Sequence, residues 1–347
     1  MPMPKLSKAE VTRVYSSHAI AITGTAGFLG STLLKALEND KRFKHIIAID
    51  KKPPPFKLKK AKWVCLDLTD GDCDEKLVKL FRTKRCTTLV HTALLSKPVR
   101  NIEEAHELES VGTMRLLTAS ADAKIHKLIL SSTTDVYGAF PDNPNFLTER
   151  HPARGGMLSP FLKDKVEVEN QFLTFAEKHP QKLVTILRQA TILGPTVNNF
   201  KTHFLQNPLV PTVMGFDPLF QFVHEADVLR ALIKTITEDH PGIFNIVGKG
   251  VLPLSRAIQI IGKIPVPIPT FLLYPLAETL WYLNIGSVPG THINFLKYLC
   301  IADGTKMWSR LRFQPVYTSQ EALLSFVGRE LNKEEFSKRL EEIEETN

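Results

Sequence analysis

The sequence predicts an α/β protein built on a doubly wound parallel sheet, with a smaller C-terminal domain packed behind it. Three observations carry that expectation. Short, near-continuously apolar runs alternate with amphipathic stretches from residue 18 to residue 188, a glycine-rich turn joins the first run to the first helix, and the second run ends in the acid Asp50. Strands covered on both faces read as unbroken apolar runs, and strict strand–helix alternation is the pattern of a parallel sheet with crossover helices.

In chain order the strand-sized runs are residues 19–23, 46–50, 63–67, 88–92, 127–132 and 183–188. Helical periodicity fills residues 29–39, 103–123 and 160–178 between them. Beyond about residue 190 the alternation fades. Residues 225–237 and 319–326 still read as helices and 242–247 as a strand, while 252–289 combines large apolar residues with Pro253, Pro265, Pro267, Pro269, Pro275 and Pro289. Linkers are polar, so this stretch is expected to form the lid or wall of a second domain.

The chain of 347 residues can bury a sizeable core without metal or disulfide staples. Its four cysteines, Cys65, Cys73, Cys86 and Cys300, show neither CxxC nor zinc-type spacing and are expected to be reduced thiols, with no metal site. The net charge of +8 suits an anionic ligand or surface but shows no stripe that points to nucleic acid. Residues 1–17 lack the apolar run of a signal peptide, and prolines interrupt the apolar stretch 264–285. A soluble cytoplasmic protein is the expectation.

The glycine turn reads Thr23-Gly24-Thr25-Ala26-Gly27-Phe28-Leu29-Gly30. Gly24 permits a tight turn, Gly27 lets the backbone approach a pyrophosphate, and Gly30 lets the helix pack close to the sheet. Free N–H groups at the helix start then face the anion. Asp50, twenty residues after Gly30, is placed for the two ribose hydroxyls of an adenosine. A glycine triplet also fits an ordinary turn; strand, turn, helix and distant acid together point to a dinucleotide. Lys51, Lys52, Lys57, Lys59, Lys60 and Lys62 follow Asp50. They read either as a solvated basic loop or as a site for a 2′-phosphate, so NAD is favoured and NADP stays possible. The resulting division is a polar tail 1–17, a Rossmann-type dinucleotide-binding domain 18–190, a substrate-binding domain 191–327 with elements packing back on the sheet, and a charged tail 328–347.

These residues resemble the extended short-chain dehydrogenase/reductases, the group that holds NAD-dependent epimerases and dehydratases. The TGxxGxxG spacing, Asp67-Leu68, His91-Thr92-Ala93, the segment Ser131 to Gly138 ending in Val-Tyr-Gly, Leu187-Arg188 with Leu193-Gly194-Pro195, and Phe222-Val223-His224-Glu225-Ala226-Asp227-Val228 carry the resemblance in order. It implies cofactor contacts from Gly24, Thr25, Ala26, Gly27, Phe28, Leu29, Asp50, Asp67, Leu68, Ala93 and Lys165. Asp227 is expected to cap its helix or bond across the domain junction. The resemblance further implies a cleft-bound small-molecule substrate and a homodimer formed through helices 103–123 and 160–178. Residues from Pro269 onward, with Pro289-Gly290-Thr291 and Leu311-Arg312-Phe313-Gln314-Pro315, also resemble hydroxysteroid-dehydrogenase-like relatives that handle lipophilic substrates.

Family chemistry implies a Tyr-x-x-x-Lys pair, whose i, i+4 spacing sets both groups on one helix face. Lys165 stands at the lysine position, but Phe161 occupies the tyrosine position, and none of the six tyrosines has lysine four residues on. Phenylalanine keeps the ring and loses the O–H, removing an acid–base group worth about 10²–10⁴-fold. Thr133 and Lys165 remain the candidate catalytic residues, to orient substrate oxygen and ribose. Asp135 and Tyr137 are weighed as replacement acids, and His91 and His224 as structural histidines. Three readings stay open. One is an epimerase/dehydratase-type enzyme acting on a sugar nucleotide or another hydroxyl-bearing substrate. The others are a non-catalytic dinucleotide sensor or assembly subunit, and an oxidoreductase for lipophilic alcohols with peripheral membrane contact.

Overall fold

A computed structural model of the chain describes residues 19–286 and 289–329, and residues 331, 336, 339, 341 and 343 beyond them. The N-terminal tail, and most of the C-terminal one, lie outside the described residues. Seven strands form the central sheet: β1 Ala19–Thr23, β2 His45–Asp50, β3 Lys62–Cys65, β4 Cys86–His91, β5 Lys127–Thr133, β6 Leu183–Gln189 and, further along the chain, Gly242–Ile246. The spatial order is Gly242–Ile246, β6, β5, β4, β1, β2, β3. All six pairings are parallel.

Side-chain alternation divides the core into two layers. Ile20, Ile22, Val90 and Ile129 join the layer with Leu33, Leu37 and Val228. Their neighbours Ala19, Ala21, Leu89, Leu128 and Leu130 join the opposite layer with Leu77, Leu116 and Phe172. Helix Phe28–Asn39 packs against helix Glu225–Thr237 on the first face, and Cys73–Lys84, Gly112–Asp122 and Pro160–Lys178 pack on the second. Strand order reverses between β1 and β4, and ligand crevices open at the carboxyl ends of strands at such a point.

Helices Pro160–Lys178, Glu225–Thr237 and Ser319–Phe326 match the sequence pattern residue for residue. Ser159 caps the first of them by accepting the Leu162 N–H, with Pro160 at the position where a missing N–H costs nothing. Two expectations are corrected. The third strand stops at Cys65 instead of 67, and its residues are exposed or half-buried, because β3 is the sheet edge and leaves Asp67 to the following turn. The helix expected over 103–123 is interrupted by a π-helical turn, Glu107–Val111, between Ile102–His106 and Gly112–Asp122. Such a turn inserts an extra residue into the helix; within it Glu109 is fully buried.

The C-terminal elements form three small pairings. Thr191–Leu193 pairs with Phe222–His224, Leu219–Phe220 with Leu252–Pro253, and Leu209–Val213 with Ile264–Ile268. The last strand carries Pro265 and Pro267, tolerable because it pairs on one side only. Helix Thr270–Tyr282 follows it and buries Leu273 alone among its residues.

Candidate functional site

The turn after β1 is shaped by close backbone approaches. Gly24 has φ +77°, and its N–H donates to the Ile49 carbonyl at 3.0 Å. A Cβ there would lie 2.7 Å from the Ala93 Cα, and one at Gly30 would lie 2.1 Å from the Gly24 oxygen. No real side chain fits at either position. At Gly27 a Cβ would meet the same oxygen at 3.2 Å, a tight contact that the glycine avoids. Gly27 also begins helix Phe28–Asn39 without any side-chain cap, so helix-start N–H groups stay available to an anion. Thr25 is buried, and its hydroxyl finds no partner.

Asp50, at the end of β2, accepts the Ala26 N–H at 2.9 Å and the Lys52 N–H at 3.0 Å. One bond ties it to the glycine turn, and about half of its four acceptor sites remain open. Asp67 accepts the Thr69 N–H and hydroxyl, and Lys51 lies 3.6 Å away. Thr69 and Lys51 hold its carboxyl below the ordinary aspartate range, against a burial that pushes it up. The Leu68 side chain packs in the core, and a Cβ at Gly112 would lie 2.9 Å from it.

A cleft of about 220 Å³ brings Gly27, Phe28 and Leu29 together with Thr133, Phe161 and Lys165. Asp50, Asp67, Leu68 and Ala93 do not line it. Thr133 accepts the Asp135 N–H at 3.2 Å, which leaves its own O–H to donate. The Lys165 ammonium donates to the Leu95 carbonyl at 2.8 Å and to Glu109 at 2.9 Å, with the Phe161 ring centroid 4.3 Å away. Burial pushes the Glu109 carboxyl above its ordinary value even though Lys165 opposes this. Its second oxygen has no partner.

Sequence reasoning missed Glu109, although Ala105, Glu109, Thr113 and Leu116 follow helical spacing and all are buried. An acid on that stripe was the available signal. It also missed the buried pair Arg188–Glu169, closed at 2.6 Å beneath β5 and joined by the Ser132 hydroxyl at 2.5 Å. Tyr137 donates to Asn245 at 2.7 Å and is 1% exposed; burial pushes its phenol up to about 12. It is therefore closed to the cleft. Asp135 is paired with Lys201 at 2.6 Å. His91 is buried between the Thr23 and Thr113 hydroxyls, and burial lowers its imidazole to about 3. His224 caps its helix by accepting the Ala226 N–H, whereas Asp227 bonds across to the N–H groups of Val316 and Tyr317. The sequence spacing grouped no metal ligands; among the described residues His106, Asp164 and Glu167 bring ligand-type atoms within 4.8 Å of one another, with His106 already bonded to Asp164 at 2.7 Å.

A second cavity, about 480 Å³, adjoins the cleft and shares Asp135, Thr191, Phe200 and Lys201 with it. Residues from the C-terminal half line most of it, including Phe204, Leu273, Leu280, His292 and Phe295. Among the described residues no helix is long and apolar enough to cross a membrane.

Comparison with known proteins agrees with this architecture. The chain is 32% identical over 310 residues to an uncharacterised protein of Mycobacterium tuberculosis, covering 87% of this chain and 81% of that one. It is 29% identical over 191 residues to a UDP-glucose 4-epimerase of Yersinia enterocolitica, covering 51% of this chain and 54% of the relative. The solved structure of MoeE5 in complex with UDP-glucuronic acid and NAD superposes with TM-score 0.70 at 23% identity, covering 93% of this chain and 99% of that one, and so shares the fold. The resemblance of the C-terminal region to hydroxysteroid dehydrogenases finds no support in these matches. Residues 20–247 match the model of the NAD dependent epimerase/dehydratase family, a span that holds the glycine turn, the seven strands and the Phe161–Lys165 helix; the chain belongs to that family.

Proposed function

We propose that the protein binds NAD along the carboxyl ends of β1, β2, β4 and β5 and acts at a hydroxyl or carbonyl carbon of a small-molecule substrate. The observation that carries this reading is the cradle at Gly24 and Gly30, where a Cβ would come within 2.7 Å and 2.1 Å of backbone. A turn kept this bare, with Asp50 bonded to it, fits a diphosphate over the turn and a ribose diol at the carboxylate. Bound NAD supplies a hydride acceptor. The open acceptor sites of Asp50 select an unphosphorylated ribose, since a 2′-phosphate would meet a carboxylate.

Within the cleft, Thr133 is free to donate to a substrate oxygen. Lys165 spends two donors on Leu95 and Glu109, leaving one of its three for a ribose hydroxyl. The named Yersinia relative is an epimerase, which supports oxidation followed by re-reduction of a substrate hydroxyl, as on a sugar nucleotide. We place the domain boundary near residue 190, with residues 191–327 supplying the substrate side. Phe161 favours a second reading, in which NAD is bound without turnover.

Calorimetric titration with NAD and NADP tests the proposal. The expected result is NAD binding well below 1 mM, NADP at least tenfold weaker, and about a tenfold loss of NAD affinity in Asp50→Ala. Dissociation constants above 1 mM for both, about 4 kcal/mol of binding, overturn it. Substrate turnover that is abolished by Lys165→Ala excludes the non-catalytic reading.

A further inference from the structure

We propose that helix Thr270–Tyr282 and the chain just after it form a docking face for an anionic phospholipid bilayer, seated in the headgroup layer with three cations around it. Such a face acts apart from the cofactor cleft and from the substrate turned over there. Leu273 alone is buried among the thirteen residues of the helix. Phe271 and Tyr282 are 75% and 79% exposed, and Leu272, Tyr274 and Leu276 are exposed as well. At 3.6 residues per turn these positions spread over about 200° of the helix. A surface helix ordinarily turns an apolar stripe of about 100° to the core and shows polar residues elsewhere. Leu283 and Ile285 extend the apolar surface past the helix end, and Met214 and Phe216 are exposed after the strand Leu209–Val213. Val213, Leu273 and Ile293 share one core cluster, which joins that strand to the helix. Exposed apolar side chains gathered in this way mark an interaction site.

Charge selects the occupant. Residues 249–300 carry four lysines or arginines and a single acid, Glu278. Glu278 is half-buried, and its carboxylate accepts the Gly290 N–H at 2.8 Å. Cations stand at the margins of the face. The Arg100 guanidinium lies 4.3 Å from the Trp281 ring centroid and donates to the Trp281 and Gly286 carbonyls at 3.0 Å. Lys297 lies 5.0 Å from the Phe216 ring centroid and 4.9 Å from that of Tyr298. Half-buried Lys263 stands next to exposed Ile264. Lysine and arginine lay their stems on apolar surface and keep the charge in the polar layer, where anionic headgroups attract it. Tyrosine and tryptophan settle at the same depth, the place Tyr274, Trp281 and Tyr282 would take. Thirteen residues rise about 20 Å against a hydrocarbon core of about 30 Å, so the helix lies along the surface and does not cross. A rigid protein partner would cover one side of so wide an apolar arc and bring polar groups that need matching. The exposed residues of the helix offer it no charge, only the hydroxyls of Tyr274, Thr279 and Tyr282. Fluid acyl chains close around the arc and need no such partners.

The test is flotation of the full chain with vesicles of phosphatidylcholine alone and of phosphatidylcholine mixed with phosphatidylglycerol. The expected result is at least tenfold more protein floating with the anionic vesicles at low salt, and most of that excess lost at high salt. The triple variant Phe271→Ser/Tyr282→Ser/Leu283→Ser should cut flotation at least tenfold. Its unfolding midpoint and NAD affinity should stay unchanged, because these side chains are exposed and none lines the cleft or the cavity. Lys263→Glu/Lys297→Glu should remove the preference for anionic vesicles. Native protein that does not float with anionic vesicles, equal flotation with both compositions, or a triple variant that floats like the native chain overturns the proposal. So does light scattering that shows a native dimer turned into a monomer by the triple variant, since a second copy then covers the face. NAD is titrated separately. NAD binding without flotation overturns this inference alone, whereas flotation without NAD binding overturns the cofactor reading and leaves the docking face standing.

Discussion

The cleft beside the glycine turn and the cavity next to it share a wall at Asp135, Thr191, Phe200 and Lys201. Their construction differs. The turn side is shaped by main chain: Gly24 against Ala93, Gly30 against Gly24, and a carboxylate tied to the Ala26 N–H. The cavity is shaped by side chains from residues 134 to 301, many of them flexible leucines and aromatic rings. Backbone held against backbone has nowhere to move, whereas side chains can repack around a changed neighbour. Each half should therefore answer mutation in its own way.

The largest effect is expected from Gly30→Val. Its Cβ would begin 2.1 Å from the Gly24 oxygen, so stability should fall by about 2–3 kcal/mol and NAD affinity by at least about 100-fold. Leu276→Val in the cavity wall should cost under about 1.5 kcal/mol. Urea denaturation and calorimetry on both variants measure the contrast, and comparable losses would break the distinction.

A smaller effect is expected where the two regions meet. Phe161→Tyr places a phenol beside the Lys165 ammonium, now 4.3 Å from the ring centroid. A neighbouring cation favours the phenolate, so the new group should ionise about 1–2 units below the usual value near 10. Absorbance at 295 nm against pH reads this directly. A phenol that titrates at 10 or above would show that the Glu109 carboxylate cancels the lysine there.

The smallest concerns pH and belongs to the cavity. Burial lowers the His292 imidazole from 6.5 to about 4. The unfolded chain then binds the extra proton first, so this contribution is complete above pH 6.5 and is lost as pH falls toward 4. Between pH 7 and 5.5 the loss is about 1 kcal/mol. His224, lowered by burial to about 4, adds to the same slope; the difference between the native chain and His292→Phe isolates the cavity's share. Identical slopes would contradict a neutral buried imidazole.

The parts legible in the sequence are those whose physics is local. An apolar run such as Ala19–Thr23 declares a buried strand because every second residue faces one of two cores. The glycine turn declares itself because the conformation of Gly24 needs glycine wherever the chain goes next. Phe161 and Lys165 were legible as a pair because one helix fixes their spacing. Glu109 was half legible: it lies on the buried stripe, but its pairing with Lys165, fifty-six residues further along the chain, cannot be read from composition. Nothing around His292 signalled its place in the cavity wall, since its neighbours Phe161 and Phe200 lie more than ninety residues away.

The doubly wound sheet, the bare turn and the acid after the second strand are written into short stretches of chain, because backbone conformation and burial periodicity act over a few residues. Tertiary structure alone decided that Lys165 is clamped by a buried glutamate, that Tyr137 is sealed in the core, and that an unpaired histidine stands in an apolar cavity beside Phe161. Those outcomes depend on which distant side chains exclude water from one another, and that is settled only when the layers close.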